Sequence, residues 1–230
     1  MLTLRKSSER GRANHGWLQS QHSFSFASYY DPRHMGFSKL RVINDDFIAP
    51  GAGFDTHGHR DMEIITYVLQ GVIAHKDSEG NVKNLPAGEL QLMSAGSGIS
   101  HSEFNASSQH ALTLLQIWIE PDVLGQPPGY QQQDFGQTEG LTHVMSPDGV
   151  DGTLKIKQDA HLHQLILAPK QSLNFASQLP RQYVHVIAGQ LEINGESLGP
   201  GDALQITDEG QLRFVSLGES PVKALVLELP

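Results

Sequence analysis

The chain predicts an all-β fold of two related barrels. Short alternating runs recur between turn residues, long helical periodicity is missing, and part of the first half is repeated in the second. In the first half, strands are expected at 40–43, 63–70, 72–76, 89–94, 98–105 and 112–119, bounded by turn segments such as Asp77-Ser78-Glu79-Gly80 and Pro86-Ala87-Gly88. Residues 121–152 hold four Pro, six Gly and a Gln-rich patch at Gln131-Gln132-Gln133 with little apolar periodicity, and so read as a linker. Strands resume at 154–157, 164–168, 183–187, 190–193 and 223–229. The repeat aligns Tyr67-Val68-Leu69-Gln70-Gly71, with its following strand and Pro86-Ala87-Gly88-Glu89, on His185-Val186-Ile187-Ala188-Gly189 and Gly199-Pro200-Gly201-Asp202. Two barrels at 1–139 and 140–230 follow, each closed so that its strands leave few exposed edges.

Length and composition narrow the function. The 230 residues suffice for two domains of about 100 residues with cores of their own. A net charge of -9 without a dense Lys/Arg run disfavours direct nucleic acid or anionic membrane partners. Cysteine is absent, so disulfides and thiolate metal sites are excluded, and a tight metal site must use His and carboxylate. The polar, charged first twelve residues and the lack of a long apolar run suggest a cytoplasmic protein.

Two pairs of metal-type side chains stand out, His57-Gly58-His59 and His101-Ser102-Glu103. A strand repeats every two residues, so each pair presents both heads on one face, and two adjacent strands can aim four ligands at one point. Three His and one Glu suit Fe(II), Mn(II), Ni(II), Cu(II), Co(II) or Zn(II) and leave positions open on an octahedral ion. The second half has no His-x-His pair at 176–182, the matching place, and its barrel is expected to carry no metal. The other histidines, among them His75 and the pair His161-Leu162-His163, are expected to be surface or satisfied polar groups. The aromatic group Phe24, Phe26, Tyr29, Tyr30 and Phe37 is expected to be core and N-terminal cover.

Residues 51–71, GAGFDTHGHRDMEIITYVLQG, resemble the first cupin motif: a Gly, five residues, His-x-His, a short gap, Glu and a closing Gly. Residues 80–88 resemble the start of the second motif, although its His arrives late, at His101. That delayed His-x-Glu, together with HGWLQSQHSFSFASYYDPRHMGFSKLRVINDD at 15–46, resembles the pirin family. The resemblance implies a bicupin of two double-stranded β-helix (jelly-roll) barrels, with an iron-like divalent metal, Fe(II) first, held by His57, His59, His101 and Glu103. It further implies dioxygenase action on a flavonol such as quercetin, with dioxygen as co-substrate and carbon monoxide released. The general cupin pattern would instead use Glu63 as the carboxylate, and parity cannot choose, since 57, 59 and 63 share a strand face if no bulge intervenes. The pirin pattern favours Glu103 as ligand and catalytic base; Glu63 is the alternative, or a partner that orients a ligand His. The rival function is a non-enzymatic metal- or redox-sensing regulator that binds a protein partner.

Overall fold

The computed structural model describes residues 1–230. Apart from two 3-10 turns, Ser7–Glu9 and Val150–Gly152, all regular structure is β-strand. No helix is long and apolar enough to cross a membrane. The chain forms two compact units, one of Gly11–Gly136 with Ile156–Gln158, the other of Met1–Arg10, Gln137–Lys155 and Asp159–Pro230.

In the first unit a seven-stranded sheet runs Gly129–Asp134, Glu89–Ser94, Glu63–Gln70, Leu112–Ile119, Leu40–Ile48, Leu18–His22, Gly11–Asn14. A four-stranded sheet runs Gly53–His59, Ile99–Asn105, Val72–Asp77, Val82–Pro86. Leu18, Ile48, Val68, Leu112 and Leu114 of the larger sheet pack on Ile73 and Leu85 of the smaller. Each such buried side chain contributes about 1.5–3 kcal/mol, and together they hold one end of the sandwich shut. A second, smaller apolar cluster is Ile64, Met93, Ala95 and Ile99, and the polar side chains His101 and Glu103 lie on the same strand as Ile99.

The second unit repeats the plan. Its large sheet runs Leu2–Arg5, Ala203–Thr207, Arg181–Ala188, Val222–Leu229, His161–Leu167, Gly140–Ser146, Leu154–Lys155, and its small sheet Ser172–Ala176, Gln211–Ser216, Leu191–Ile193, Glu196–Leu198. The core between them is Leu165, Val184, Val186, Phe214, Val222 and their neighbours.

Three expectations change. The expected linker at 121–152 contains two strands, Gly129–Asp134 and Gly140–Ser146. Its Gln run pairs residue for residue with Glu89–Ser94, and Gln132 Nε2 donates to Glu89 Oε2 at 2.6 Å. An edge strand needs only its backbone ladder, so apolar alternation is no guide there. The expected cut of 1–139 from 140–230 also differs from the compact units, because Leu2–Arg5 pairs with Ala203–Thr207 and Leu2 and Leu4 pack on the second core. Backbone pairing at residue 5 with residue 203 leaves no local trace in a sequence. Finally, of the aromatic group, Phe24 is buried as expected but Tyr30 is 72% exposed.

Candidate metal centre

Gly53–His59 and Ile99–Asn105 lie antiparallel, with His57 opposite His101 and a register shift between His101 and Glu103. Alternation turns His57 and His59 to one face, and Ile99, His101, Glu103 and Asn105 to the buried side. Gly53 lets the strands close: a Cβ there would lie 2.2 Å from Glu103 O and 2.5 Å from Phe104 Cα, both main chain. The smaller sheet thus brings His57, His59 and His101 together, while Glu103 converges with His101 and His75 rather than with the first pair.

Ligand atoms of His57, His59 and His101 all lie within 4.8 Å of one another. His57 Nε2 and His101 Nε2 are 3.1 Å apart. Two nitrogens bound at about 2.1 Å to one ion at right angles are separated by about 3.0 Å, so this spacing fits shared coordination. The rings stand steeply to each other, at 85° (His57 and His59), 67° (His59 and His101) and 54° (His57 and His101), so their in-plane lone pairs can converge. His57 Nδ1–H donates to Asp55 O at 2.8 Å, which turns the Nε2 lone pair inward. Burial, then the neighbouring His57, holds His59 near pKa 4; burial, then His57 and His59, holds His101 near 3. Both imidazoles are therefore in the neutral form that binds metals.

Glu103 is buried, and Gln116 Nε2 donates to both its oxygens at 3.2 and 3.0 Å. Burial, then the charge of Asp46, raises its pKa to about 7, against the smaller pull of Gln116 and Thr66. A cavity of about 610 Å³ is lined by His57, His59, His101 and Glu103 together with Trp17, Phe26, Phe54 and Trp118. Its size is in the range that takes a drug-sized ligand, and its walls combine flat apolar rings with a few polar heads.

Glu63 stands apart. Asp61, with φ 50°, breaks the strand between His59 and Glu63, so the two-residue count does not carry across. The Glu63 carboxylate accepts from Ser94 Oγ at 2.9 Å and from the Lys157 N–H at 3.2 Å, and it belongs to neither group of converging ligand atoms. Burial raises its pKa.

The histidines expected to be bland divide. His75 is buried, bonds Asp77 at 2.9 Å, and offers a ligand atom within 4.8 Å of those of His101 and Glu103. It was legible in principle, since His75-Lys76-Asp77 shows the same two-residue spacing as the ligand pairs. In the second unit His163 bonds a carboxylate that the spacing did not reveal, Glu228, at 2.9 Å.

Residues 3–119 match the family Pirin, and residues 143–229 match the Quercetinase C-terminal cupin domain. The chain is 50% identical over 231 residues to quercetin 2,3-dioxygenase of Escherichia coli (strain K12), covering 100% of this chain and 99% of that protein. It is 40% identical over 225 residues to a pirin-like protein of Caulobacter vibrioides, covering 96% and 97%. Among solved structures, the bacterial pirin YhhW in complex with nickel(II) from Escherichia coli superposes with a TM-score of 0.96 at 48% identity, covering 100% of this chain and 99% of that one.

Proposed function

The chain belongs to the pirin family, and from that premise we propose that it is a metal-dependent dioxygenase that cleaves a flavonol such as quercetin with molecular oxygen, releasing carbon monoxide. One observation carries the reading: a single cavity is lined both by three histidines with one glutamate and by flat aromatic walls suited to a planar polyphenol. His57, His59, His101 and Glu103 would hold the metal ion. The cofactor is a divalent metal, and within that class iron(II) is our choice; nitrogen and carboxylate donors without sulfur accept it as they accept nickel or manganese.

A divalent ion held there supplies a Lewis acid with coordination positions left over for an oxygen of the substrate. The protein does the rest. Trp17, Phe54, Phe26 and Trp118 pack against the flavonol rings and keep water off the reacting carbon. Trp118 Nε1 is committed to Gln116 Oε1 at 3.2 Å, which sets the ring's orientation and passes it on to the Gln116 amide that holds Glu103. The Glu103 carboxylate, on the cavity wall beside the three histidines, is the group placed to accept the proton of the 3-hydroxyl group. The deprotonated ring is then electron-rich enough for dioxygen to attack and open it.

Oxygen uptake by metal-loaded protein with quercetin, monitored together with carbon monoxide, tests the proposal. Both should appear in step with loss of the flavonol, and an anaerobic control should abolish them. Metal-loaded protein that shows neither with any flavonol refutes it.

A further inference from the structure

Behind His101 lies a pair of residues that the reaction has not used. On the strand Val72–Asp77, Asp77 is opposite His101 and His75 opposite Glu103. Both side chains are fully buried. Asp77 Oδ1 accepts the N–H groups of Glu79 and Asn81, each at 3.0 Å, and both its oxygens accept from Asn81 Nδ2. A carboxylate that receives so many donors is acceptor-only, so His75 Nε2, 2.9 Å from Oδ2, must carry the proton of that bond. The other nitrogen, His75 Nδ1, is then a lone-pair acceptor, and it is buried without a hydrogen-bond partner.

His101 presents the complementary need. Its Nε2 faces His57 Nε2 at 3.1 Å, where the candidate ligands converge. Bound to a metal through Nε2, the ring must carry its proton on Nδ1, and that atom too is buried without a partner. A ligating histidine ordinarily donates this second N–H to an oxygen or nitrogen acceptor, which fixes the ring and raises its basicity. The two rings are 5.3 Å apart, centroid to centroid, at 54°. A hydrogen bond between them, direct or through one water, spans such a gap.

We propose that Asp77 and His75 form a positioning relay for His101: Asp77 holds His75 as the Nε2–H tautomer, and His75 Nδ1 accepts the Nδ1–H of metal-bound His101. The relay rests on the metal reading above and adds to it two residues outside the ligand set. His75 is not itself a ligand, because His101 spends its Nε2 on the group it forms with His57 and His59. Its effect is to lock one ligand ring and so to set metal affinity.

Full-length protein loaded with Zn(II), which is diamagnetic, provides the test through two readouts other than turnover. Long-range proton–nitrogen correlation spectra should show His75 protonated on Nε2 and His101 on Nδ1, the latter proton protected from exchange. Competition with a chelator should show His75→Phe weakening zinc binding by about 10- to 100-fold, the range for partners of ligating histidines. His75→Asn, which keeps an acceptor near the Nδ1 position, should recover part of that loss. A His75 ring protonated on Nδ1 or carrying a zinc-shifted nitrogen overturns the relay, as does His75→Phe with wild-type affinity. If His75→Phe does not fold, the wild-type spectra and the affinity of His75→Asn decide. Wild-type protein that takes up no zinc, nickel or iron sinks the metal reading itself, and the relay with it.

Discussion

Each of the two units places three histidines and one glutamate on neighbouring strands: His57, His59, His101 and Glu103 in the first, where His101 belongs both to the group with His57 and His59 and to one with His75 and Glu103, and His143, His161, His163 and Glu228 in the second. In the first the rings stand at 54° to 85° to each other. In the second, His163 stacks with both others, on His143 at 22° and with His161 at 18°, while His143 and His161 tilt at 37° and bond to each other through Nε2 and Nδ1 at 3.1 Å. An imidazole lone pair lies in the ring plane, so three steeply tilted rings can aim at one point, whereas in the second unit His143 and His161 spend one nitrogen each on the other and His163 spends its Nε2 on Glu228. The carboxylates differ as sharply. Glu103 receives only the Gln116 amide and the Thr66 hydroxyl, and burial, then Asp46, outweighs them and raises its pKa to about 7. Glu228 is also penalised by burial, but His163, Ser177 and the Gln178 N–H outweigh that and hold it near 2. The first set leaves ring nitrogens converging and a carboxylate with few donors, as a metal site needs; the second spends its nitrogens and its carboxylate on one another and on Ser177 and Gln178.

The largest test of this contrast is metal content. His57→Ala or His101→Ala should lower metal affinity by more than about 100-fold, beyond the usual cost of losing a partner outside the ligand set. His143→Ala and His161→Ala should leave it unchanged, with a single ion per chain by elemental analysis. An ion lost from either of the latter would erase the distinction.

Stability should show the opposite pattern. Glu228→Ala strands His163 and two backbone donors in the interior and should cost about 3 kcal/mol in denaturant unfolding, with metal stoichiometry intact. Gly53→Ala forces a methyl group into the main chain of Glu103 and Phe104; it should cost about 2 kcal/mol and also weaken metal binding, because it parts the two ligand strands. Metal affinity that survives Gly53→Ala untouched would detach the strand contact from the site.

The two carboxylates also give opposite pH signatures in metal-free protein. Glu103 has a folded pKa of about 7 against 4.5 unfolded, so its contribution is fully present below pH 4.5 and is lost as pH rises through 7. Glu228, near 2 when folded, contributes above pH 4.5 and loses that contribution as pH falls toward 2. Glu103→Gln should therefore raise the denaturation midpoint at pH 8 and change little at pH 4, whereas Glu228→Gln should lower it at pH 7 by an amount that shrinks below pH 4.5. In the loaded protein the proton on Glu103 competes with the ion, so affinity should fall as pH drops below about 7. Identical pH profiles for the two variants would refute the assigned environments.

The smallest effect belongs to Glu63→Gln. Its carboxylate bonds Ser94 and Lys157 rather than any ligand ring, so metal affinity should change by no more than a few-fold. A loss as large as that of His57→Ala would return Glu63 to the ligand set.

Much of this was readable along the chain. Strands 63–70, 89–94 and 112–119 coincide with those observed because central strands, buried on both faces, must be written in apolar residues. The His-x-His and His-x-Glu pairs were readable because period two is a property of the strand itself. The strands Gly11–Asn14, Val82–Pro86 and Gly129–Asp134 were not, since polar edge strands are specified by the backbone of a neighbour.

By itself, then, the sequence determined the β class, the repeat, the donor types and the family, all of them local or additive properties of residues. The tertiary structure alone decided which donors converge. It turned Glu63 to Ser94 and Lys157 beyond the break at Asp61, joined residue 5 to residue 203, and placed His75 behind His101. Ring tilt, burial and the number of donors reaching a carboxylate depend on strands distant in the chain, and no spacing within one strand encodes them.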